Sequence, residues 1–267
     1  MYTKTTLLDF NLKMEHIKLN MLELGSLGEI GLIISANKFI ELSELIQSAN
    51  YSIQESQKTN NSYLKSYFLK YAILNYNACY DYFEQIVFFA FDFFPDFGSA
   101  REYKKILKEC TRSSIRKKGK DSTFTTDIMK LKKVNSEARL FFDKYDKERQ
   151  FVNHTLFGIR KWANSIKHQG GINFSECEKD YGYIICQNSN GDTLFTTKSL
   201  KTYQITNEQI YTNLFQQNEK IVEITRWLFN YIFGDISCIS CEPKLKRFSA
   251  NKNHFKGKRL AFYIIDK

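Results

Sequence analysis

Between Ser62 and Phe94 the chain carries apolar residues at helical spacing for several turns, and no proline interrupts it before Pro95. The positions Leu64, Tyr67, Phe68, Tyr71, Leu74, Ala78, Tyr82, Gln85, Ile86 and Phe89 keep close to a period of 3.6, the signature of one helix face. A helix this apolar must be a central packing element, and the rest of the chain has to cover it. Only one other proline occurs, Pro243, so long uninterrupted helices are permitted elsewhere too. Tyr63, Tyr67, Tyr71, Tyr76, Tyr80 and Tyr82 could form a ladder for stacking bases, but aromatics at helical spacing are read here as core.

Similar patterns predict further helices. One covers about 36–57, with Phe39, Ile40, Leu42, Leu45 and Ile46 inward; Gly25, Gly28 and Gly31 interrupt the chain before it. Residues 5–24 mix apolar and charged positions as an amphipathic first helix, although Leu8, Phe10, Leu12 and Met14 also alternate as a strand would. A single helix is expected over 100–118, and a short one over 127–134. A long helical pattern starts at Ser136, with Leu140, Phe141, Tyr145, Phe151, Val152, Leu156, Ile159, Trp162, Ala163 and Ile166 on its apolar side and Gly170 as its C-cap. Residues 181–197 then read as a β-hairpin turning at Asn190-Gly191. Thr206 with Gln209 forms a capping box that opens a helix to Phe233, with Ile210, Leu214, Ile221, Ile224, Leu228 and Tyr231 inward. The expected class is mainly α, a helical bundle with one hairpin. Three regions follow: an N-terminal helical extension over 1–35, a helical domain over 36–234, and a basic tail over 235–267.

Charge narrows the partner. Thirty-nine Lys and Arg stand against 29 Asp and Glu, a net +10, which favours a polyanion. The same excess also serves solubility; clustering is what points to binding. Arg112, Arg116, Lys117, Lys118 and Lys120 lie in one patch. Lys246, Arg247, Lys256, Lys258 and Arg259 lie in another, where Phe248 and Phe255 are interleaved as base-stacking partners would be. The opening MYTKTTLLDFNLKMEH has acids and lysines where a secretory signal needs an apolar core. The longest apolar run, Ile86 to Phe91, is far too short to span a bilayer. A cytoplasmic chain with reduced thiols and no membrane association is therefore expected. Cys238-Ile-Ser-Cys241 has metal-ligand spacing, but only His254 stands near enough to add a ligand, so no metal and no cofactor is expected.

The chemistry concentrates in Asp146 to Ile172, DKERQFVNHTLFGIRKWANSIKHQGGI. Arg160, Asn164 and His168 are spaced four apart, so on a helix each lies about 40° further round than the last and all share one stripe. Histidine suits proton transfer near neutral pH, and arginine's planar fork suits phosphate. An amide can orient the imidazole or donate to the phosphate. Together they could cleave RNA by activating a 2′-OH, stabilising the phosphorane and protonating the leaving 5′-oxygen. Lys167 would add phosphate contact. Arg149 and His154 form a second pair, eleven residues before Arg160 in the case of Arg149, so both arginines would face one groove on an unbroken helix. The chain has no HExxH, Walker loop or GxSxG.

An arginine followed by a histidine near the end of a helix, here ending Lys167-His168-Gln-Gly-Gly171, resembles the HEPN superfamily over about 36–233. Its ribonuclease members carry Arg-x(4–6)-His. Arg149-Gln-Phe-Val-Asn-His154 has that spacing, with a polar residue after the arginine, whereas seven residues separate Arg160 from His168. The resemblance implies a metal-independent endoribonuclease built as a homodimer, acting in toxin or anti-phage defence. It also implies a regulatory or antitoxin partner. A HEPN-like domain that only binds RNA or a partner protein is the other reading. For it, Lys167 and His168 are simply favourable charges at a helix C-terminus.

Overall fold

The computed structural model describes residues 7–10, 30–119, 140–148, 158–168, 172–174, 185–196 and 203–233. The expected first helix over 5–24, the short helix over 127–134, Gly170 and the basic tail lie wholly or largely outside them. In order come α1 (Ile30–Lys58), α2 (Ser62–Ala90), α3 (Ala100–Glu109), α4 (Arg112–Gly119), a helical stretch over 140–148, α5 (Ile159–His168), β1 (Ile172–Phe174), β2 (Ile185–Gln187), β3 (Thr193–Thr196), β4 (Tyr203–Ile205) and α6 (Asn207–Phe233). The protein is mainly helical. The described residues contain no helix long and apolar enough to cross a membrane.

Several element ends differ from the sequence reading for local reasons. Gly31 does not stop a helix; it sits in the first turn of α1. A Cβ there would come within 2.3 Å of both the Phe89 carbonyl oxygen and Asp92 Oδ1, so only glycine allows this approach. α2 ends at Ala90, well before Pro95. Asp92 adopts a left-handed φ of 52°. Its N–H reaches Phe89 O at 3.1 Å, and the Phe93 N–H reaches Phe88 O at 3.0 Å, the paired bonds of a Schellman closure. The single helix expected over 100–118 is two. Thr111 lies between them, and its hydroxyl oxygen accepts the Ser114 N–H at 3.2 Å, capping α4. Nor is the long helical pattern continuous. Gly158 is not helical, and its carbonyl accepts from the Lys161 N–H to start α5.

The chain divides into two compact units. One comprises 1–10, 42–80 and 147–225; the other comprises 11–41, 81–146 and 226–267. In the first, Leu42, Ile46 and Ile53 of α1 are buried, with Leu69, Ile73, Tyr76 and Tyr80 of α2 and Ile210, Leu214 and Ile221 of α6. The stripe expected to face inward on α2 is partly the wrong one. Tyr63, Leu64, Tyr67 and Tyr71 are exposed, while Tyr76 and Tyr80 are buried on the opposite side. Both faces of this half-helix are aromatic and apolar, so a helical period alone does not say which is covered.

Buried polar groups fasten the first unit. Asn218 Oδ1 accepts the Leu8 N–H at 2.7 Å, and Asn218 Nδ2 donates to Leu8 O at 2.9 Å and to Asn50 Oδ1 at 3.0 Å. Asn50 Nδ2 donates to Leu8 O and to Asp9 Oδ1, and the Tyr76 hydroxyl donates to Asn50 Oδ1 at 2.6 Å. Two side-chain amides thus satisfy both the N–H and the carbonyl of Leu8. Burial pushes the Tyr76 phenol well above its ordinary pKa, so it stays a donor. The Tyr80 hydroxyl donates to Gln217 Oε1, and Ser56 and Tyr211 share a hydrogen bond at 2.9 Å.

Four short strands follow α5. β1 and β4 pair in parallel, Ile172 with Tyr203 through Phe174 with Ile205, and β2 and β3 pair antiparallel between them in sequence. The β2–β3 turn is held by Asn188, whose Oδ1 accepts from the N–H groups of Asn190 and Asp192, and Gly191 takes φ 86°. At the start of α6, Thr206 N–H donates to Gln209 Oε1 at 3.1 Å and Gln209 N–H to Thr206 Oγ1 at 3.2 Å, the reciprocal pair of a capping box.

The second unit is an aromatic core. Phe91, Phe93, Phe141 and Phe142 pack together, and Phe141 stacks on Tyr231 at 4.2 Å and on Trp227 at 5.1 Å between ring centres. Leu140, expected inward, is exposed.

Candidate functional site

α5 sorts its residues sharply. Ile159, Trp162, Ala163 and Ser165 are buried, while Arg160, Lys161, Asn164, Lys167 and His168 are exposed. The buried positions recur at 3 and 4, which leaves the expected triplet on the outward stripe. Taking 100° per residue, Lys167, Arg160, Asn164, His168 and Lys161 span only about 120° of the helix surface. IRKWANSIKH contains no acid. Among the described residues, the side chains of Arg160, Asn164, Lys167 and His168 make no hydrogen bond or ion pair. α5 therefore presents three cations, an amide and an imidazole on one face, with Lys167 and His168 in the last turn, where the helix dipole favours positive charge.

Phosphate binding needs donors that are not already engaged, and this face supplies them. Proton transfer needs an imidazole held in place. The hydrogen bond by which Asn164 would orient His168 is not formed. Arg149 and His154 lie outside the described residues. The groove that Arg149 and Arg160 would share on one unbroken helix has no such helix to rest on, because Gly158 interrupts the register.

The α4 patch, in the second unit, is more committed to the fold. Lys118 Nζ donates to the Phe93 carbonyl and sits 4.9 Å from the centre of the Phe88 ring, so its charge holds α4 in place. Arg112 binds Asp146 at 2.7 Å and Arg116 approaches the same carboxylate at 3.9 Å. Lys117 is exposed. Lys246, Arg247, Lys256, Lys258 and Arg259 lie outside the described residues, as do Cys238, Cys241 and His254. Among the described residues no three His, Cys, Asp or Glu side chains gather as metal ligands would. Cys79 and Cys110 are buried, and burial pushes the Cys110 thiol up to about 12. A thiol so placed is no nucleophile at neutral pH.

The sequence reading named Lys167 beside the triplet but not Lys161. The signal for it was available: Lys161 is one residue after Arg160, on the edge of the same stripe, and falls outside a strict four-residue spacing. No known protein family, curated protein or solved structure matches this chain.

Proposed function

We propose that this chain is a metal-independent endoribonuclease of HEPN type that acts in toxin or anti-phage defence in the cytoplasm, as a homodimer controlled by a regulatory or antitoxin partner. Arg160, with Lys167 beside it, holds the scissile phosphate. His168 transfers the proton, and Asn164 donates to the phosphate or turns to the imidazole when RNA is bound. The 2′-OH attacks the phosphate, the 5′-oxygen leaves with a proton, and the products carry 2′,3′-cyclic phosphate and 5′-OH ends. Arg149 and His154 are the alternative pair. The observation that carries this reading is the acid-free outward stripe of α5, whose arginine, amide, lysine and histidine make no side-chain hydrogen bond or ion pair among the described residues.

A non-catalytic RNA-binding or partner-binding subunit is the second reading. The lack of a hydrogen bond between Asn164 and His168 favours it, because a binding face needs no oriented imidazole. Expression of wild type, His168→Ala and His154→Ala, with RNA integrity followed in EDTA-treated lysates, separates the two. The ribonuclease reading expects wild type to degrade RNA and one histidine variant to lose at least a hundredfold in rate, consistent with general acid–base catalysis, while keeping RNA affinity. Intact RNA in all three, with RNA binding that Arg160→Ala and Lys167→Ala weaken, establishes the binding subunit instead.

A further inference from the structure

Lys161 has no part in the cleavage chemistry assigned to α5, yet it completes a pattern there. The exposed basic groups of α5 come as two adjacent pairs seven residues apart, Arg160-Lys161 and Lys167-His168, with Asn164 between them. On a helix of about 6 Å radius, at about 100° and 1.5 Å per residue, the four groups stand at the corners of a frame about 9 Å by about 11 Å. Asn164 lies at its centre, about 7 Å from each corner. Among the described residues none of these five side chains makes a hydrogen bond or an ion pair.

The two pairs differ in what the helix itself favours. Lys167 and His168 sit in the last turn, where the dipole suits positive charge. Arg160 and Lys161 sit in the first turn, which holds no acid, and there positive charge opposes the dipole. Neither packs into the core, because the covered side of α5 is Ile159, Trp162, Ala163 and Ser165. The first pair therefore works against its own helix and gains nothing from burial, as residues kept for an anionic ligand do. Arg160, Lys167 and His168 serve one phosphate over the centre of the frame, beside Asn164. Lys161 is the fourth corner, diagonal to Lys167, and points its charge to the far side of that centre.

We infer that Lys161 holds the phosphate next to the scissile one, so that α5 takes a single RNA strand over at least two consecutive phosphates. This rests on the reading of α5 as the face that contacts RNA, and it names what that face selects. A strand carries one charge per nucleotide, and the step of about 7 Å from the centre of the frame to Lys161 is on the scale of one nucleotide of extended backbone. The frame is only about 11 Å long, far short of the about 16 base pairs that a duplex-RNA fold spans, so its cations follow one strand. In-line attack by a 2′-OH also needs a backbone free to leave the A-form, as a single strand is. Lys161 touches no reacting atom; its contact is to a phosphate and reads no base. A dinucleotide with only the scissile phosphate leaves Lys161 without a partner.

Fluorescence anisotropy of the full chain with a 2′-O-methyl oligouridine tests this. That strand has no free 2′-OH and cannot be cut, so binding is read whether or not α5 is catalytic. Wild type, Lys161→Gln, Arg160→Gln and the double variant are titrated across a series of salt concentrations. Wild type should bind, and Lys161→Gln should reduce the slope of log K against log salt by about 0.7, the signature of one phosphate contact on a single strand. A 2′-O-methyl oligoadenine should show the same loss, because the contact reads no base. The losses from Lys161 and Arg160 should add in the double variant, since they concern different phosphates. Lys161→Gln should melt no lower than wild type, because it relieves the first turn of α5. A wild type that does not bind the strand overturns the assignment of Lys161. So does a Lys161→Gln slope equal to wild type, a double variant no weaker than Arg160→Gln, or a lower melting temperature. Duplex RNA that competes as well as the single strand overturns it too. A protein whose slope falls with Lys161→Gln but which leaves RNA intact in EDTA-treated lysates keeps the role of Lys161 and loses the ribonuclease reading; degraded RNA with an unchanged slope does the reverse.

Discussion

Asn218→Ala should free the segment at Leu8 and cost the protein about 2–3 kcal/mol. Asn218 is 1% exposed and makes three hydrogen bonds, to the Leu8 N–H, the Leu8 carbonyl and the Asn50 oxygen. A net contribution of about 1 kcal/mol for each gives about 3 kcal/mol. Two acceptors keep other donors: Leu8 O retains Asn50 Nδ2 at 3.0 Å, and Asn50 Oδ1 retains the Tyr76 hydroxyl. The Leu8 N–H loses its partner, but Leu8 is exposed enough for water to replace part of it. The small void left by the amide adds back some of the loss. In urea, with a slope of about 3 kcal/mol per molar, the midpoint should fall by about 0.7–1 M at unchanged slope. Hydrogen exchange at residues 7–10 should accelerate well beyond the global change, since their amide clasp is gone while α1, α2 and α6 keep their helical bonds. Asn50→Ala removes partners of the same groups, so the double variant should cost less than the sum of the two. A midpoint shift under about 0.2 M, or exchange at 7–10 that merely follows global unfolding, would refute the reasoning that the two amides fasten this segment.

Gly31→Val should destabilise by about 1–3 kcal/mol, because its side chain meets the Phe89 carbonyl, a backbone atom that cannot rotate away; thermal unfolding reads the loss, and an unchanged midpoint rejects the close approach. The Cys110 thiol is held near 12, above the ordinary value of 9.0, so the folded state retains a proton that the unfolded state gives up. Its contribution to stability is complete below about pH 9 and declines as pH rises toward 12. Peptide-resolved alkylation at pH 8 should therefore leave Cys110 unlabelled in the native protein and label it in urea, and rapid native labelling would contradict its burial.

Much of the secondary structure was legible because its causes are local. The capping box of Thr206 and Gln209 marked the start of α6 three residues at a time, and both of its hydrogen bonds form. The amphipathic pattern of IRKWANSIKH put Arg160, Asn164 and His168 on one stripe, and a helix over those residues keeps them there. Breaks inside expected helices were harder to see. Thr111 and Gly158 are each tolerable in a helix, and only the hydrogen bonds they make instead reveal them as boundaries.

What the sequence determined by itself is a mainly helical chain with a strongly basic balance and a polar, cationic face on α5, since composition and helical period need no distant contact. What only the tertiary structure decided is which side of α2 is covered, why residue 31 is glycine, and that Asn218 grips Leu8 across 210 positions. An apolar period looks the same on either face of a helix, and a buried amide in a sequence does not name its partner. Those choices belong to the packing, where burial and hydrogen-bond satisfaction are settled between residues far apart in the chain.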